Sequence, residues 1–297
     1  MAKSQKLKTL EEHFQETEEI LSKRGERPEL PITTIPSFDR KIWGLKRREL
    51  MLIAARTSIG KTSLALQLAW DMAVNKKKVI FFSLEMHVPA LIERLFCNVE
   101  GIDNEDLLHG KFKEKYQNEW AFFKNLLNSH YLVFNDSIGK TWEEINQLLG
   151  DLKDKPDVVF VDHVNHVRAS QSQDDKKTID DYIRKFREMA IRDNFAGVLC
   201  AQINRFAQSD NKDKEPELHH LKGSGRLEEE SDAVLLLTWP WKYNEKEPEN
   251  KFKFILAKNR NGRTGYVDVD YNAKYYKFSD WQEEAMKLPK EYKSNYK

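Results

Sequence analysis

Short apolar runs recur along the chain, and helical stretches separate them over its first two thirds. Continuous runs rich in β-branched and aromatic residues are typical of strands buried on both faces of a parallel sheet. Five such runs occur, at 49–55, 78–85, 131–136, 157–163 and 197–202. Between them, apolar residues recur at helical spacing, as at Ile179, Ile183 and Phe186. The pattern predicts an α/β fold, with a mostly parallel sheet flanked by helices.

The last third of the chain has a different spacing. Its apolar runs, at 233–239, 251–258, 265–271 and 275–280, are joined by short connections. Short connections are typical of antiparallel neighbours. We therefore expect an antiparallel extension of the sheet in this part of the chain.

A narrow apolar stripe predicts an amphipathic helix over residues 5–24. The stripe consists of Leu7, Leu10, Phe14 and Leu21. Two prolines in the following segment RGERPELP end the helix. A helix with one apolar stripe must dock either on its own core or on a neighbouring subunit, and the residues alone leave both open. We expect a linker helix and linker over 1–30, one large domain over 31–280 and a charged tail over 281–297.

Composition excludes some classes of protein. The 297 residues are 40% hydrophobic, which is enough for a real core. The net charge of +1 neither supports nor excludes a nucleic-acid partner. No apolar run approaches the ~20 residues of a membrane span, and the amino terminus has no secretory pattern. We expect a cytoplasmic protein of a bacterium or of a phage-infected host cell, without a membrane partner, whose Cys97 and Cys200 are reduced and buried.

A strand, the segment ARTSIGKT at 55–62 and a helix form the strongest local motif. The segment matches the phosphate-binding loop G-x-x-x-x-G-K-[ST], except that Ala55 replaces the first glycine. Backbone N–H groups and the positive end of the helix hold phosphates in such loops, and the lysine reaches the β and γ oxygens. The motif predicts ATP and Mg²⁺ as cofactors, with Thr62 as a metal ligand. The predicted nucleotide contacts are Ser58, Ile59, Gly60, Lys61, Thr62 and Ser63.

Polar side chains close three of the predicted strands. Asp162 follows one run and is the candidate for holding the metal, while Glu85 follows another and is the candidate for polarising the attacking water. Gln202 closes a third and is a candidate sensor of the γ-phosphate. The alternatives are a Glu85 that is only the first solvated residue after its strand and a Gln202 that only satisfies loose backbone.

A long polar segment over 205–226 follows Gln202 directly. Its glycines and cations suit close approach to a phosphodiester backbone, although a solvated loop would have the same composition. The candidate DNA contacts are Arg205, Lys222, Gly223, Ser224, Gly225 and Arg226. A second polar stretch over 168–177 is a candidate for the same channel.

Two further motifs carry charged or ligating side chains. In AKNRNGRTG, Lys258 and Arg260 end a strand and are candidates for charge stabilisation at a neighbouring subunit's γ-phosphate, the alternative being a solvated hairpin tip. His163 and His166 follow Asp162 closely. No cysteine or acidic cluster accompanies them in the sequence, so they do not predict a zinc site.

The order of these motifs resembles the RecA-like motor domain of DnaB-type replicative helicases. The stretches that carry the resemblance are IPSFDRKIWGL, AARTSIGKT, FFSLEM, the strand ending at Asp162, AQINR, LKGSGRLEEESDAVLLL and AKNRNGRTG. The resemblance implies a RecA-like P-loop fold and an ATP-dependent helicase that forms a homo-oligomeric ring, a hexamer, on single-stranded DNA. It also implies that Glu85 activates water, that Lys258 and Arg260 act across the subunit interface, and that the linker helix docks on the next subunit.

The chain departs from the family pattern at two motifs. Asp-Tyr-Leu-Gln is replaced by the stretch beginning at Asp162 and His163, and Arg-Glu-Ser-Gly by Lys222–Gly225. The amino-terminal helical domain through which such helicases meet primase has no counterpart, so we expect a motor with a linker, and primase and a helicase loader as further partners. Two other functions stay open: a RecA-like recombination or strand-annealing ATPase, and a loader or regulatory ATPase that does not translocate.

Overall fold

The computed structural model describes residues 9–22, 28–129, 131–167, 175–203, 215–221 and 225–282. Its strands are β1 Leu50–Ala55, β2 Val79–Ser83, β3 Leu132–Asp136, β4 Val158–Asp162, β5 Ala196–Gln202, β6 Ala233–Thr238, β7 Lys251–Asn259, β8 Gly265–Asn272 and β9 Lys277–Asp280. Its α-helices are α1 Leu10–Ser22, α2 Pro36–Ile42, α3 Lys61–Val74, α4 Val88–Glu100, α5 Asn104–Leu108, α6 Phe112–Lys115, α7 Gln117–Ser129, α8 Trp142–Gly150, α9 Asp175–Asp193 and α10 Gly225–Glu230. Each run predicted as a strand forms one.

The strands form a single mixed sheet in the order β3-β2-β4-β5-β1-β6-β7-β8-β9. The pairs from β3 to β6 are parallel, and those from β6 to β9 are antiparallel. The predicted fold class is therefore confirmed. β6 joins the two parts of the sheet, because it pairs in parallel with β1 and antiparallel with β7. The chain from β5 to β6 contains α10 and is long enough for the crossover that a parallel pair requires.

Helices cover both faces of the sheet. On one face α2 and α3 pack in a core that includes Phe38, Leu64 and Phe254. On the other face α8, α9 and α10 contribute Ile145, Phe186 and Leu227 to a second core. A helix buried on one face only shows an apolar stripe, whereas α3 is buried at every position from Thr62 to Ala73 because it lies between the sheet, α4 and β9.

β3 lies at the edge of the sheet, and it differs from its predicted environment. Its sequence suggested a strand buried on both faces, yet Val133 is 58% exposed. The reason is its position: β3 pairs with β2 on one side only. Continuous apolar character did not distinguish this edge strand from the central ones.

α1 begins at Leu10, and Leu7 of the predicted stripe lies outside the described residues. The other three stripe residues are exposed, Leu10 by 70%, Phe14 by 61% and Leu21 by 52%. Burial of apolar surface is favourable by about 25 cal/mol per Å². Covering these exposed side chains would therefore stabilise an interface. Among the residues that the structure describes, none buries this stripe.

Cys97 and Cys200 are buried free thiols, as predicted. Burial raises the pKa of both thiols, that of Cys97 to about 12. Within the described ranges, no helix combines the length and the apolar character needed to cross a membrane.

Candidate nucleotide-binding site

The loop between β1 and α3 has the geometry of a phosphate-binding loop. Gly60 caps α3 with a φ of 87°, a conformation that glycine adopts without strain. A Cβ atom at this position would lie 3.3 Å from the Phe278 ring. Both the backbone conformation of residue 60 and the space around it therefore favour glycine. Ala55 differs, because it is the last residue of β1 and pairs with Gln202 in regular register. An extended residue needs no glycine, which explains why the motif tolerates alanine there.

Lys61 and Thr62 open α3 and face Asp162 at the end of β4. The Thr62 hydroxyl donates to Asp162 Oδ2 at 2.7 Å, and Lys61 Nζ lies 3.9 Å from Asp162 Oδ1. Asp162 is 1% exposed, and its Oδ1 accepts no hydrogen bond from the described residues. A hydroxyl and a carboxylate oxygen are the hard ligands that Mg²⁺ prefers. The pair Thr62 and Asp162 therefore fits the metal role that the sequence predicts.

The two acids that close predicted strands, Glu85 and Asp162, lie at the same end of neighbouring strands. β2 lies next to β4, with Ser83 opposite Asp162, and the Leu84 amide donates to the Asp162 carbonyl at 2.7 Å. Glu85 follows directly and is 42% exposed. The two acids thus differ in environment, one buried beside Lys61 and the other open to solvent. This difference suits a metal-holding acid beside a water-polarising one.

Glu85 also has a neighbour that the sequence did not indicate. His163 Nε2 lies 3.2 Å from Glu85 Oε2, and the His163 ring packs edge-on against His166 at 4.3 Å between centroids. One ligating atom from each of the three side chains lies within 4.8 Å of the others. The sequence has no acidic cluster beside the histidines, and the order of the strands supplies one acidic neighbour, Glu85, from a distant segment.

Gln202 links the phosphate loop to the predicted DNA loop. Its Nε2 donates to Thr57 Oγ1 at 2.8 Å, and its backbone amide donates to Asn165 Oδ1 at 2.9 Å. The next residue, Ile203, forms an isolated bridge with Leu221. Leu221, which lies inside the long polar segment, is thus held beside the residue that follows Gln202. Thr57 was not singled out from the sequence, although its place inside the loop motif was the available signal.

The predicted DNA contacts are only partly described. Arg205, Lys222, Gly223 and Ser224 lie outside the described residues, as does the stretch 168–174. Gly225 and Arg226 form the first turn of α10. Arg226 is half-exposed and lies within 3.8 Å of Glu229 and 3.5 Å of Glu230 on its own helix.

Lys258 and Arg260 lie at the side of the sheet where β1 begins, whereas Lys61 lies at the side where β1 ends. β7 ends at Asn259, opposite Ala233 at the start of β6, and Ala233 pairs with Met51 near the start of β1. The phosphate loop follows the other end of β1. A strand of this length spans roughly 17–20 Å, so Arg260 and Lys61 of one chain lie far apart.

The comparison with protein families gives one match over most of the chain. The model of the DnaB-like helicase C-terminal domain matches residues 32–280. Among curated proteins, the probable plasmid replicative DNA helicase of Chlamydia trachomatis serovar L2 is 32% identical over 79% of this chain and 51% of its own length. The replicative DNA helicase DnaC of Bacillus subtilis strain 168 is 27% identical over 89% of this chain and 59% of its own length. The chain thus spans about half the length of the curated relatives it matches.

Solved structures share the fold. A helicase ATPase domain that was solved by itself superposes with a TM-score of 0.81 at 26% identity, over 93% of this chain and the whole of that domain. A DnaB-like replicative helicase, solved in a study of its interactions with primase, has a TM-score of 0.81 at 24% identity, over 92% of this chain and 69% of its own. The sheet and its flanking helices are therefore a RecA-like ATPase fold.

Proposed function

The chain belongs to the DnaB-like helicase C-terminal domain family, and we propose that it is the ATP-hydrolysing motor of a DNA helicase that translocates on single-stranded DNA during replication. The observation that carries this proposal is the division of groups between two edges of one sheet. Lys61, Thr62, Asp162 and Glu85 meet at one edge, while Arg260 lies at the other. Such a chain completes a nucleotide site only with a neighbour.

The residues around the phosphate loop have different roles in ATP hydrolysis. Lys61 and the α3 amino terminus bind the phosphates, and Ser58, Ile59, Gly60 and Ser63 complete the loop around them. Thr62 and Asp162 would hold Mg²⁺, which would neutralise negative charge on the phosphate groups. Glu85 accepts a proton from the attacking water, and its exposure allows water to reach it.

The neighbouring subunit supplies Lys258 and Arg260 to this site. Cations that stabilise the transferring phosphoryl group in trans are worth ~10³ or more in rate in other nucleotide hydrolases. The exposed stripe on α1 supports assembly, because the described part of its own chain leaves these apolar side chains uncovered. We infer a homo-oligomeric ring, a hexamer, in which residues 1–30 link one motor domain, residues 31–280, to the next, and residues 281–297 form a tail.

Gln202 couples nucleotide to DNA in this proposal. Its bond to Thr57 supports the idea that it exchanges a loop partner for a γ-phosphate oxygen, and the segment that follows it would move in response. Contacts from 205–226 to the phosphodiester backbone make binding largely independent of sequence and sensitive to salt. Primase and a helicase loader are further proposed partners in the cytoplasm.

An unwinding assay tests the proposal against its rivals. The substrate is forked DNA with each single-stranded tail removed in turn, and the controls are Lys61→Ala and Glu85→Gln. We expect ATP-dependent strand displacement that needs one tail, together with ATP turnover that rises with single-stranded DNA. Turnover indifferent to DNA and no displacement would favour a loader or regulatory ATPase, and open filaments in electron micrographs would favour a recombination protein.

A further inference from the structure

The basic tip that follows β7 is held in place within its own chain. Arg260 Nη1 donates to Asp232 Oδ1 at 2.9 Å, and its Nη2 donates to the Glu229 carbonyl at 3.1 Å. Lys258 Nζ donates to the carbonyls of Glu228 at 2.5 Å and Glu229 at 3.2 Å. The last carbonyls of a helix lack partners within it and attract cations. The carboxyl end of α10 and Asp232 together therefore form a seat for both cations.

Asp232 is built into the core of the domain. It is 4% exposed, and its Oδ2 accepts from the Leu50 amide at 2.9 Å and from Arg187 Nη1 at 2.8 Å. Its Oδ1 accepts from Arg187 Nη2 at 3.1 Å as well as from Arg260. Burial by itself would raise the pKa of Asp232, but the bonds from Arg187 and Leu50 hold it below its usual value. The carboxylate is a fixed anion at neutral pH.

The backbone of the tip is fixed to the same residue. The Arg260 amide donates to the Asp232 carbonyl at 2.8 Å. The pairing of β6 with β7 shifts register between Val234 and Leu235, which leaves Ala257 as an extra residue in β7. Bulges of this kind re-aim the side chains beside them. Lys258 and Arg260 follow this bulge closely. The bulge and the contacts with α10 and Asp232 therefore orient the same two side chains.

The seat leaves Arg260 able to bind something else. The side chain is 48% exposed although it makes two hydrogen bonds. A guanidinium has more N–H donors than these two bonds use, and its planar fork suits phosphate. Further donors therefore remain for an anion that approaches the exposed side of the guanidinium.

We propose that Asp232 is the positioning residue for Arg260, holding its guanidinium at the subunit surface in the orientation that meets a neighbour's nucleotide. The proposal rests on the proposed function, in which Arg260 acts in trans. Fixing a long side chain before the reaction removes an ordering cost from the transition state. Asp232 therefore contributes to kcat through Arg260 and makes no contact with nucleotide itself.

Mixed assemblies separate this role from a structural one. Subunits with Lys61→Ala supply only a tip, and subunits with Arg260→Ala supply only a nucleotide site, so the mixture has active interfaces although neither variant alone does. Asp232→Asn is then added to one partner or to the other. On the Lys61→Ala subunit we expect turnover at saturating ATP, with an oligo-dT strand present, to fall about tenfold. On the Arg260→Ala subunit the same substitution should leave turnover within about twofold.

The outcomes distinguish the positioning role of Asp232 from the shared nucleotide site on which that role rests. Equal losses in both placements would mean that Asp232 acts on folding alone, and no loss in either would mean that it does not position the tip. Both results overturn the positioning role while the shared site stands. A mixture without any turnover above its separate components overturns the shared site as well.

Asp157 serves as a matched control, because it is a carboxylate with similar partners at the same side of the sheet. Asp157, just before β4, accepts from Arg47 and from the Lys78 amide, much as Asp232 accepts from Arg187 and Leu50, but it does not touch the tip. Asp157→Asn should cost stability without lowering turnover in either placement. Thermal unfolding of each variant reports whether the subunit is folded, and for the variants that keep Lys61 so does binding of a fluorescent ADP analogue.

Discussion

Arg260 and Lys61 of one chain lie at opposite edges of the same sheet, although both are predicted to act on a γ-phosphate. The strand β1 separates the phosphate loop from the start of β6, where the Arg260 side chain binds Asp232. No rotation of a side chain crosses a strand that spans roughly 17–20 Å. The proposed site therefore needs groups from two chains, and mixing two variants tests this arrangement.

Two inactive variants should restore each other. Arg260→Ala should lower kcat by about 10² or more, because charge on the transferring phosphoryl group loses its partner. Lys61→Ala should abolish nucleotide binding in its own chain. When the two are mixed, ATP turnover should return to a measurable fraction of the wild-type rate, since some interfaces then hold one intact loop and one intact tip.

The dependence on protein concentration supplies the control for this mixing. Wild-type turnover per subunit should fall on dilution as the assembly dissociates, and binding of a fluorescent ADP analogue to Arg260→Ala should stay close to wild type. Full turnover by a monomer at every dilution would contradict the two-chain site.

His163 should act on turnover through Glu85. Its Nε2 lies 3.2 Å from the Glu85 carboxylate, near enough to orient that side chain. We expect His163→Ala to lower kcat roughly tenfold while the KM for ATP stays within about twofold, because the contact orients an acid that does not bind ground-state phosphate. His163→Gln retains a donor and should recover part of the loss.

A second histidine offers a matched comparison. His87 pairs with Asp136 at 2.9 Å at the end of the neighbouring strand and does not touch Glu85. His87→Ala should leave kcat unchanged. In a double-mutant cycle, His163→Ala should cost nothing further once Glu85 is Gln, and an independent loss in that background would show that His163 acts elsewhere.

Runs of apolar residues were sufficient to predict the strands, and the phosphate loop was recognisable because its chemistry requires contiguous residues. The shared edge of Glu85 and Asp162 followed from the carboxyl ends of parallel strands. The contact between His163 and Glu85 did not, because it depends on which strands are neighbours. The sequence allows either the loop strand β1 or the Asp162 strand β4 beside β2, and the structure has β4 there.

The seat of Arg260 was not predictable for a related reason. Asp232 lies in an acidic stretch of the sequence that resembles a solvated helix face, and its burial depends on α9 supplying Arg187. Local patterns report the burial of apolar residues well, but a buried carboxylate is stable only with partners from distant segments. The same limit applies to β3, whose edge position depends on strand order.

The glycine pattern of the phosphate loop gives a paired prediction. Ala55→Gly restores the motif, yet Ala55 is a buried strand residue, so the change should leave the KM for ATP within about twofold and lower the free energy of unfolding by about 0.5–1 kcal/mol. Gly60→Ala should instead raise the KM for ATP strongly, because φ is 87° and the new Cβ would press on Phe278. Steady-state kinetics and urea unfolding of both variants test this; equal effects of the two changes on KM would contradict it.

Asp71 in α3 should make stability depend on pH. It is 2% exposed and accepts from the Thr33 and Thr34 hydroxyls and the Thr34 amide. Burial raises the pKa of Asp71 to about 7, although the bonds from Thr34 lower it. The unfolded chain releases this proton near pH 4, so the native state binds more protons between about pH 4 and pH 7, and stability falls as the pH rises through that window.

Replacing the carboxyl group should remove this contribution. Between about pH 5 and pH 7 the wild type should lose up to about 2 kcal/mol of unfolding free energy relative to Asp71→Asn. Asp157 is the control with the opposite sign, because burial would raise its pKa but the bond from Arg47 holds that pKa below the usual value. The difference between wild type and Asp157→Asn should therefore stay constant over the same window. Urea unfolding at several pH values measures both differences, and a constant gap for Asp71→Asn would mean that Asp71 is ionised in the native state throughout.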